Sequence, residues 1–415
     1  MLRQLLLLVF IFSLFTPIYA QDSTTVEPKK KKLEIHGFVK TDFWVDSRQV
    51  IYAREGLFAL FPSEIILDKN GQDINAASSF NFSAITSRVN LKINGPDAFN
   101  AKTHGFIEAD FSGASNATIN TFRLRHAYFQ LDWKKSSLLF GQYWHPMFVT
   151  EAFPTVISLN TGSPFQPFLR SPQIRFTKYF GDFNLILAAL SQRDYTSSGP
   201  LGRNYAYISN SLVPNLHAQM QYHKGLHTFG LAADIKKLRP RLVTDSNLVT
   251  NESITSYAFM AYHKWKNKNI EIKTKAIFGE NMTEQLLLGG YAVSSIDTLT
   301  DNRNYTPTQH VYFWTNVIYK KQFTKFSLHP GVFIGYAKYL GTRGINNGIY
   351  YGTGMNIESM YRISPSLSIK SRSTMFSLEW EYTSVEYKSN ATIIPRNDNY
   401  LVSNHRLLLT GFYFF

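Results

Sequence analysis

The sequence predicts an all-β fold: a single transmembrane antiparallel β-barrel of about sixteen strands, with long extracellular loops and short periplasmic turns. Three observations lead there. Segments in which apolar and polar residues alternate recur along the 415-residue chain. The connections between them alternate long and short. The chain ends in the amphipathic run Arg406 to Phe415, closed by an aromatic residue.

Taken in order, residues 1–20 read as an export signal. Arg3 supplies the positive start, Leu5 to Phe15 the apolar stretch, and Ala20 the small residue before cleavage. That stretch is shorter than a membrane-spanning helix requires. Residues 21–33 read as a basic periplasmic tail, in which Lys29–Lys32 form a solvated charge run. The barrel is expected over 34–415. Its strands are expected near 34–44, 79–93, 101–111, 121–132, 137–144, 173–180, 183–193, 216–223, 226–237, 255–265, 270–278, 310–320, 326–338, 350–362, 367–386 and 400–415. Short turns are expected near 94–100, 133–136, 181–182, 224–225, 266–269, 321–325 and 363–366, several carrying Gly, Asn or Asp. All other connections are long. Segregation of loop length by parity is what a barrel with two unlike ends requires, and a soluble sandwich has no reason to show it.

Alternation within strands agrees. Val89, Leu91 and Ile93 share one face while Arg88, Asn90 and Lys92 share the other. Phe376, Leu378, Trp380 and Tyr382 similarly oppose Ser377, Glu379 and Glu381. Charged faces suit a lumen and aromatic faces suit lipid. On the last strand, Leu407, Leu409, Tyr413 and Phe415 are expected to face lipid. Aromatics near the short turns (Trp133, Tyr179, Phe180, Phe183, Trp265, Tyr319 and Phe323) suit an interfacial girdle.

Composition narrows the function. The chain has 33 Phe and 24 Tyr, yet its mean hydropathy is −0.18, as expected of strands half in lipid and half in water. There is no cysteine, which excludes disulfides and thiolate metal sites. Net charge is +14. Inside a water-filled barrel that excess suits an anion path; nucleic-acid binding is not expected. No nucleophile elbow, zinc-protease helix, Walker loop or dinucleotide fingerprint occurs, so no enzyme, metal or cofactor is expected. His217, His223 and His227 read as surface histidines beside a periplasmic turn.

Thr121-Phe-Arg-Leu-Arg-His-Ala-Tyr128 and Phe140-Gly-Gln-Tyr-Trp-His-Pro146 resemble the fourth and fifth strands of trimeric outer-membrane porins of the DcaP-like group. The opening strand Glu34–Asp42 is similar too, so the match covers the N-terminal third. The resemblance implies passive uptake of small, often anionic solutes through a homotrimer whose third loop folds inward. Segment 145–172, with Pro146, Pro154, Pro164, Pro167 and Pro172 among Phe148, Phe153, Phe165 and Phe168, fits such a loop. A cap over the mouth and a subunit contact are the competing placements.

The candidate pore-lining cations are Lys40, Arg88, Lys92, Arg123, Arg125, Arg170 and Arg175, an expected path for anions. Glu108, Asp110, Glu379 and Glu381 are expected on the same inner face, so salt bridging that only stiffens the wall is an equal alternative. One strand breaks the rule. If Arg123 and Arg125 point inward, strict alternation turns His126, Gln130 and Asp132 outward. Either a bulge shifts the phase or this wall meets another subunit; the trimer resemblance favours the second. The function expected is a porin of the bacterial outer membrane, in contact with lipid and lipopolysaccharide and recognised by the assembly machinery through Phe415. A substrate-specific channel, a barrel enzyme and a surface-structural barrel are the alternatives.

Overall fold

The computed structural model describes residues 32–389 and 398–415. The signal segment and nearly all of the basic tail lie outside them.

In hydrocarbon no water can satisfy a free backbone N–H or C=O, so a sheet that crosses a membrane must close on itself. This one does, as a barrel of 16 antiparallel strands. The first, β1 (Lys32–Asp46), pairs on one side with β2, made of Ser79–Ser83 and Arg88–Asn94. On the other side it pairs with the last, β16 (Tyr400–Phe414), and so shuts the sheet. Between them run β3 (Lys102–Asp110), β4 (Arg123–Trp133), β5 (Ser136–Trp144), β6 (Arg170–Phe180) and β7 (Phe183–Leu190). Then come β8 (Asn215–Lys224), β9 (His227–Leu238), β10 (Ile254–Lys266), β11 (Ile270–Glu280) and β12 (Arg303–Tyr319). The circuit ends with β13 (Ser327–Thr342), β14 (Ile357–Ser371) and β15 (Thr374–Tyr387).

The alternation expected of lipid and lumen faces is present. Along β16, Leu407, Leu409 and Tyr413 are exposed, while Asn404, Arg406, Leu408 and Thr410 are buried. Phe180, Phe183, Tyr319 and Phe323 are exposed beside short turns. Tyr179 instead turns inward, where its hydroxyl meets Ser137 at 3.1 Å.

Several boundaries differ from the sequence reading, the strand expected from 310 beginning already at Arg303, and two of the differences alter the organisation. Lys32 and Leu33 are not tail but the start of β1, paired with Asn94 and Ile93. The last short turn lies at Arg372-Ser373, not at 363–366. Ser364-Pro365-Ser366 has turn chemistry, yet Pro365 sits within β14, opposite Val332 on β13. On its other side the ladder to β15 skips from Ile363 to Ser366, so the missing N–H of proline costs no bond there.

The phase break in β4 is a bulge. Asp110 stands opposite Arg123 and Ala109 opposite Leu124, but Glu108 stands opposite His126. Arg125 is the extra residue. Both Arg125 and His126 are therefore buried inside, after which Phe129 faces outward and Tyr128 inward. A subunit contact is not needed to explain the pattern.

The barrel is filled from its long-loop end. The first loop (47–78) carries a hairpin, Val50–Ala53 with Phe58–Pro62, that buries Phe58, Leu60 and Phe61. The third loop (145–169) buries Met147, Phe148, Phe165 and Phe168, and the sixth (281–302) buries Leu286, Leu287 and Leu288. These meet inward-facing Tyr312, Trp314, Phe333 and Met360 of the wall in one apolar cluster. Trp314 is fully buried, lies 6.0 Å from the Phe333 ring and donates to Gln166 Oε1 at 3.1 Å. Trp314→Ala is expected to cost roughly 3–5 kcal/mol by opening a cavity there, read as a lowered urea midpoint in detergent.

Above the rim, the fifth loop (239–253) is clasped to the sixth. Arg241 reaches Glu252 at 2.6 Å and Asp301 at 2.6 Å, and Arg303 reaches Asp245 at 2.7 Å. Burial would raise the Glu252 carboxyl, but hydrogen bonds from Arg241, the Arg303 N–H and Tyr305 hold it below its usual range. Hydrogen bonds from Arg241 and the Asp245 N–H bring Asp301 from 3.8 to about 2. A depressed carboxylate contributes its stability above its unfolded value and loses it as pH falls through the folded one. The clasp is therefore expected to hold down to about pH 4 and to open towards pH 2. Spin labels on Ser246→Cys and Thr298→Cys, in a chain without native cysteine, should give a narrow distance distribution that broadens only in that window.

Candidate functional site

The third loop leaves the wall after Trp144 and returns at Arg170, having crossed the bore. Its proline-rich backbone forms no ladder of its own, so its polar groups need partners, and the opposite wall supplies them. On β15, Glu379 accepts from the Ile157 and Ser158 N–H groups at 2.8 and 3.1 Å, and Glu381 accepts from Asn160 at 3.0 Å. On β11, Lys275 donates to the Met147 and Phe148 carbonyls, both at 3.0 Å, and Lys273 donates to Thr155 at 2.8 Å. On β14, Arg362 donates to the Ser163 carbonyl at 2.8 Å. Anchors on three strands make this loop part of the wall's structure.

At the loop's two roots, β3, β4 and β6 bring arginines and carboxylates together. Arg125 reaches Glu108 and Asp110, both at 2.7 Å. Arg123 reaches Asp110 at 3.0 Å and Asp194 at 3.2 Å. Arg170 is fully buried, bonded to Asp194, and its guanidinium lies 4.7 Å over the Trp144 ring. Arg88 stands 3.5 Å from Glu108. Arg54, from the first loop, donates to the Ala114 carbonyl at 2.8 Å and lies over Tyr195. Burial alone would raise the Asp194 carboxyl; Arg170, Arg123, Arg125 and Arg54 together hold it below its usual range. Five guanidiniums thus face three carboxylates. Among the described residues, N–H groups of Arg54, Arg88 and Arg170 have no protein acceptor.

This cluster lies between two spaces. On the long-loop side a cavity of about 950 Å³ is lined by Arg54, Glu64, Asp194, Tyr195 and Arg203. On the other side of Trp144 a cavity of about 170 Å³ is lined by His145, Glu151, Arg175 and Gln219.

Not all the candidate residues gather here. Arg88, Arg123, Arg125, Arg170, Glu108 and Asp110 do. Lys40 is buried near the tip of the third loop, paired with Asp42 at 3.0 Å. Arg175 sits below Trp144, held by Gln173 at 2.9 Å and over the Tyr143 ring. Lys92 is exposed near the turn end of β2, opposite Glu34. Glu379 and Glu381 lie on the far wall, binding the loop backbone and Asn160.

Sequence reasoning missed Asp194 and Arg54, because each comes from a long loop whose return path no periodicity reveals. It also misplaced His217. That residue is not at the surface but buried on the inner face, opposite Asp234 in register and beside His145. His223 and His227 do lie at the turn, the latter exposed.

No family model matches the sequence, and no curated protein matches it. Solved structures do. The outer membrane channel DcaP of Acinetobacter baumannii superposes with a TM-score of 0.67 at 17% identity, over 94% of this chain and 99% of that one. An anion-selective porin from Comamonas acidovorans gives 0.54 at 9% identity, over 93% and 100%. A trimer form of OmpT, an outer membrane protein of Vibrio cholerae, gives 0.54 at 9%, over 93% and 100%. The chain therefore has the fold of outer-membrane porins.

Because Glu108 and Asp110 are buried, removing Arg125 leaves carboxylate charge poorly compensated. Arg125→Ala is expected to cost about 3–5 kcal/mol, whereas Arg125→Met combined with Glu108→Gln should recover much of that. Denaturant midpoints of the folded protein in detergent compare the two.

Proposed function

We propose that this chain is a porin-type channel of the bacterial outer membrane, passing small hydrophilic solutes by diffusion and favouring anions. The observation that carries the reading is the guanidinium cluster beside the third loop, five guanidiniums against three carboxylates, with Arg54 and Arg203 lining the 950 Å³ cavity. Their net positive field draws an anion into that cavity, where it can exchange part of its hydration for the guanidinium edges that line it. The carboxylates hold the arginines apart and in place, so the salt-bridge and selectivity roles belong to one cluster. The neighbours in fold are channels and porins, one of them described as anion-selective, which favours transport over catalysis. A homotrimer is proposed by likeness to the trimer form among them. Lipid and lipopolysaccharide around the apolar belt, and assembly through the Phe415 terminus, belong to the same proposal.

A substrate-specific channel is the second reading, favoured by the extent to which three loops fill the bore. Planar-bilayer recording separates the two. Large ohmic steps favour the general porin and block by a solute favours specificity. Under a salt gradient the reversal potential is expected on the anion-selective side, and Arg54→Gln should reduce that selectivity severalfold. Cation selectivity in the unaltered protein sinks the anion reading.

A further inference from the structure

We infer that His145, His217 and Asp234 form a binding site for a divalent transition-metal ion of the zinc type. Their ligating atoms all lie within 4.8 Å of one another. The side chains come from three places: the root of the third loop, β8 and β9. His145, His217 and Asp234 are 3%, 3% and 7% exposed. Asp234 Oδ2 lies 3.1 Å from His217 Nδ1 and 3.6 Å from His145 Nε2. Ligand atoms around a tetrahedral zinc at ordinary bond lengths stand about 3.4 Å apart, so only small movements are needed.

The polar groups in direct contact with these residues suit a bound cation. His217 Nε2 lies 3.2 Å from Gln219 Oε1; in the Nε2–H tautomer it donates to that oxygen and turns the Nδ1 lone pair towards Asp234. At 3.1 Å the His217 Nδ1 and the Asp234 carboxylate share a proton in one tautomer, and in the other they present two ligand atoms to a cation between them. A hydrogen-bonded outer partner of this kind is how proteins orient a ligating imidazole. Asn215 stands against the same group. Its Nδ2 is 3.0 Å from both Asp234 oxygens and 3.2 Å from His145 Nε2, and its buried Oδ1 has no partner among the described residues. Turning that amide over supplies a fourth ligand oxygen. His145 would give up the weak 3.3 Å hydrogen bond it accepts from the Met147 N–H.

Two imidazoles with one carboxylate suit zinc, nickel or cobalt, whereas calcium and magnesium require mostly oxygen. His145 and Gln219 line the 170 Å³ cavity, which provides an entry path. A bound ion would staple the root of the third loop to β8 and β9. The site stands apart from the arginine cluster and does not rest on the proposed selectivity.

The test uses the full folded protein in detergent, stripped with chelator and dialysed against Zn²⁺, with metal counted by elemental analysis and Co²⁺ absorption as a second probe. One ion per chain is expected, with a tetrahedral Co²⁺ spectrum. His217→Gln and Asp234→Asn should abolish both signals in protein whose heat-modifiable gel mobility shows it folded. Gln219→Leu should weaken binding by about tenfold, and His227→Ala should change nothing. No stoichiometric uptake by the unaltered protein overturns the site, as does uptake retained in folded His217→Gln and Asp234→Asn.

Discussion

The pairing of β1 with β16 is the constraint on which the rest depends. Nine residue pairs run from Phe38–Phe414 to Asp46–Arg406, and below them Gly37 and Phe415 exchange backbone hydrogen bonds at 3.0 and 3.1 Å. Without this seam two strand edges would lie open in hydrocarbon, at a cost of several kcal/mol for each unpaired group. Once it forms, every strand has one face turned to lipid and one turned inward, and the inner face must accommodate the charge that the strands carry between the two rims. The close contact at the seam also explains Gly37. A Cβ there would stand 2.2 Å from the Arg88 carbonyl and 2.7 Å from the Phe415 ring.

Closure leaves a hollow whose wall bears both apolar and charged side chains, and the loops answer both. Phe165, Phe168 and Leu287 give Trp314 and Phe333 an apolar neighbourhood that water would not. Glu379, Glu381, Lys275 and Arg362 spend their hydrogen bonds largely on the backbone and side chains of the same loops. Packing and polar anchoring therefore fix the third loop together, and the arginine cluster gathers on the side where β3, β4 and β6 face it. That side holds the guanidiniums. Burial there makes each pairing matter, since a lone buried charge is far more costly than an exposed one.

Much of this was legible in the sequence because β-strands expose their state through period two. The sixteen-strand count, the two mouths and the outward faces of β2, β15 and β16 all follow from alternation and loop parity. Arg123 with Asp110 could be read as sharing a face for the same reason. What escaped was contact between segments far apart in sequence. Asp194 reaching Arg170 and Arg54 reaching Tyr195 depend on how long loops return, and His217 meeting His145 depends on a register between strands and a loop root. Pro365 misled for a physical reason: its turn chemistry is real, but a gap in one ladder lets a strand absorb it. The bulge at Arg125 was visible only as a contradiction, and alternation alone could not choose between a local irregularity and a neighbouring subunit.

That bulge bears on how densely a barrel can be charged. A regular strand presents an inward side chain only about every 7 Å, so cations stacked along one regular strand are necessarily sparse. By spending one extra residue, β4 turns Arg125 and His126 inward in succession beside Arg123, and brings two guanidiniums onto Asp110 from the same strand. The inner face gains charge density there without a wider barrel or another strand. A single-residue deletion at this position would leave the outer surface nearly unchanged while thinning the inner one. Here the spacing of charge on the inner face is set by the ladder's irregularity more than by composition.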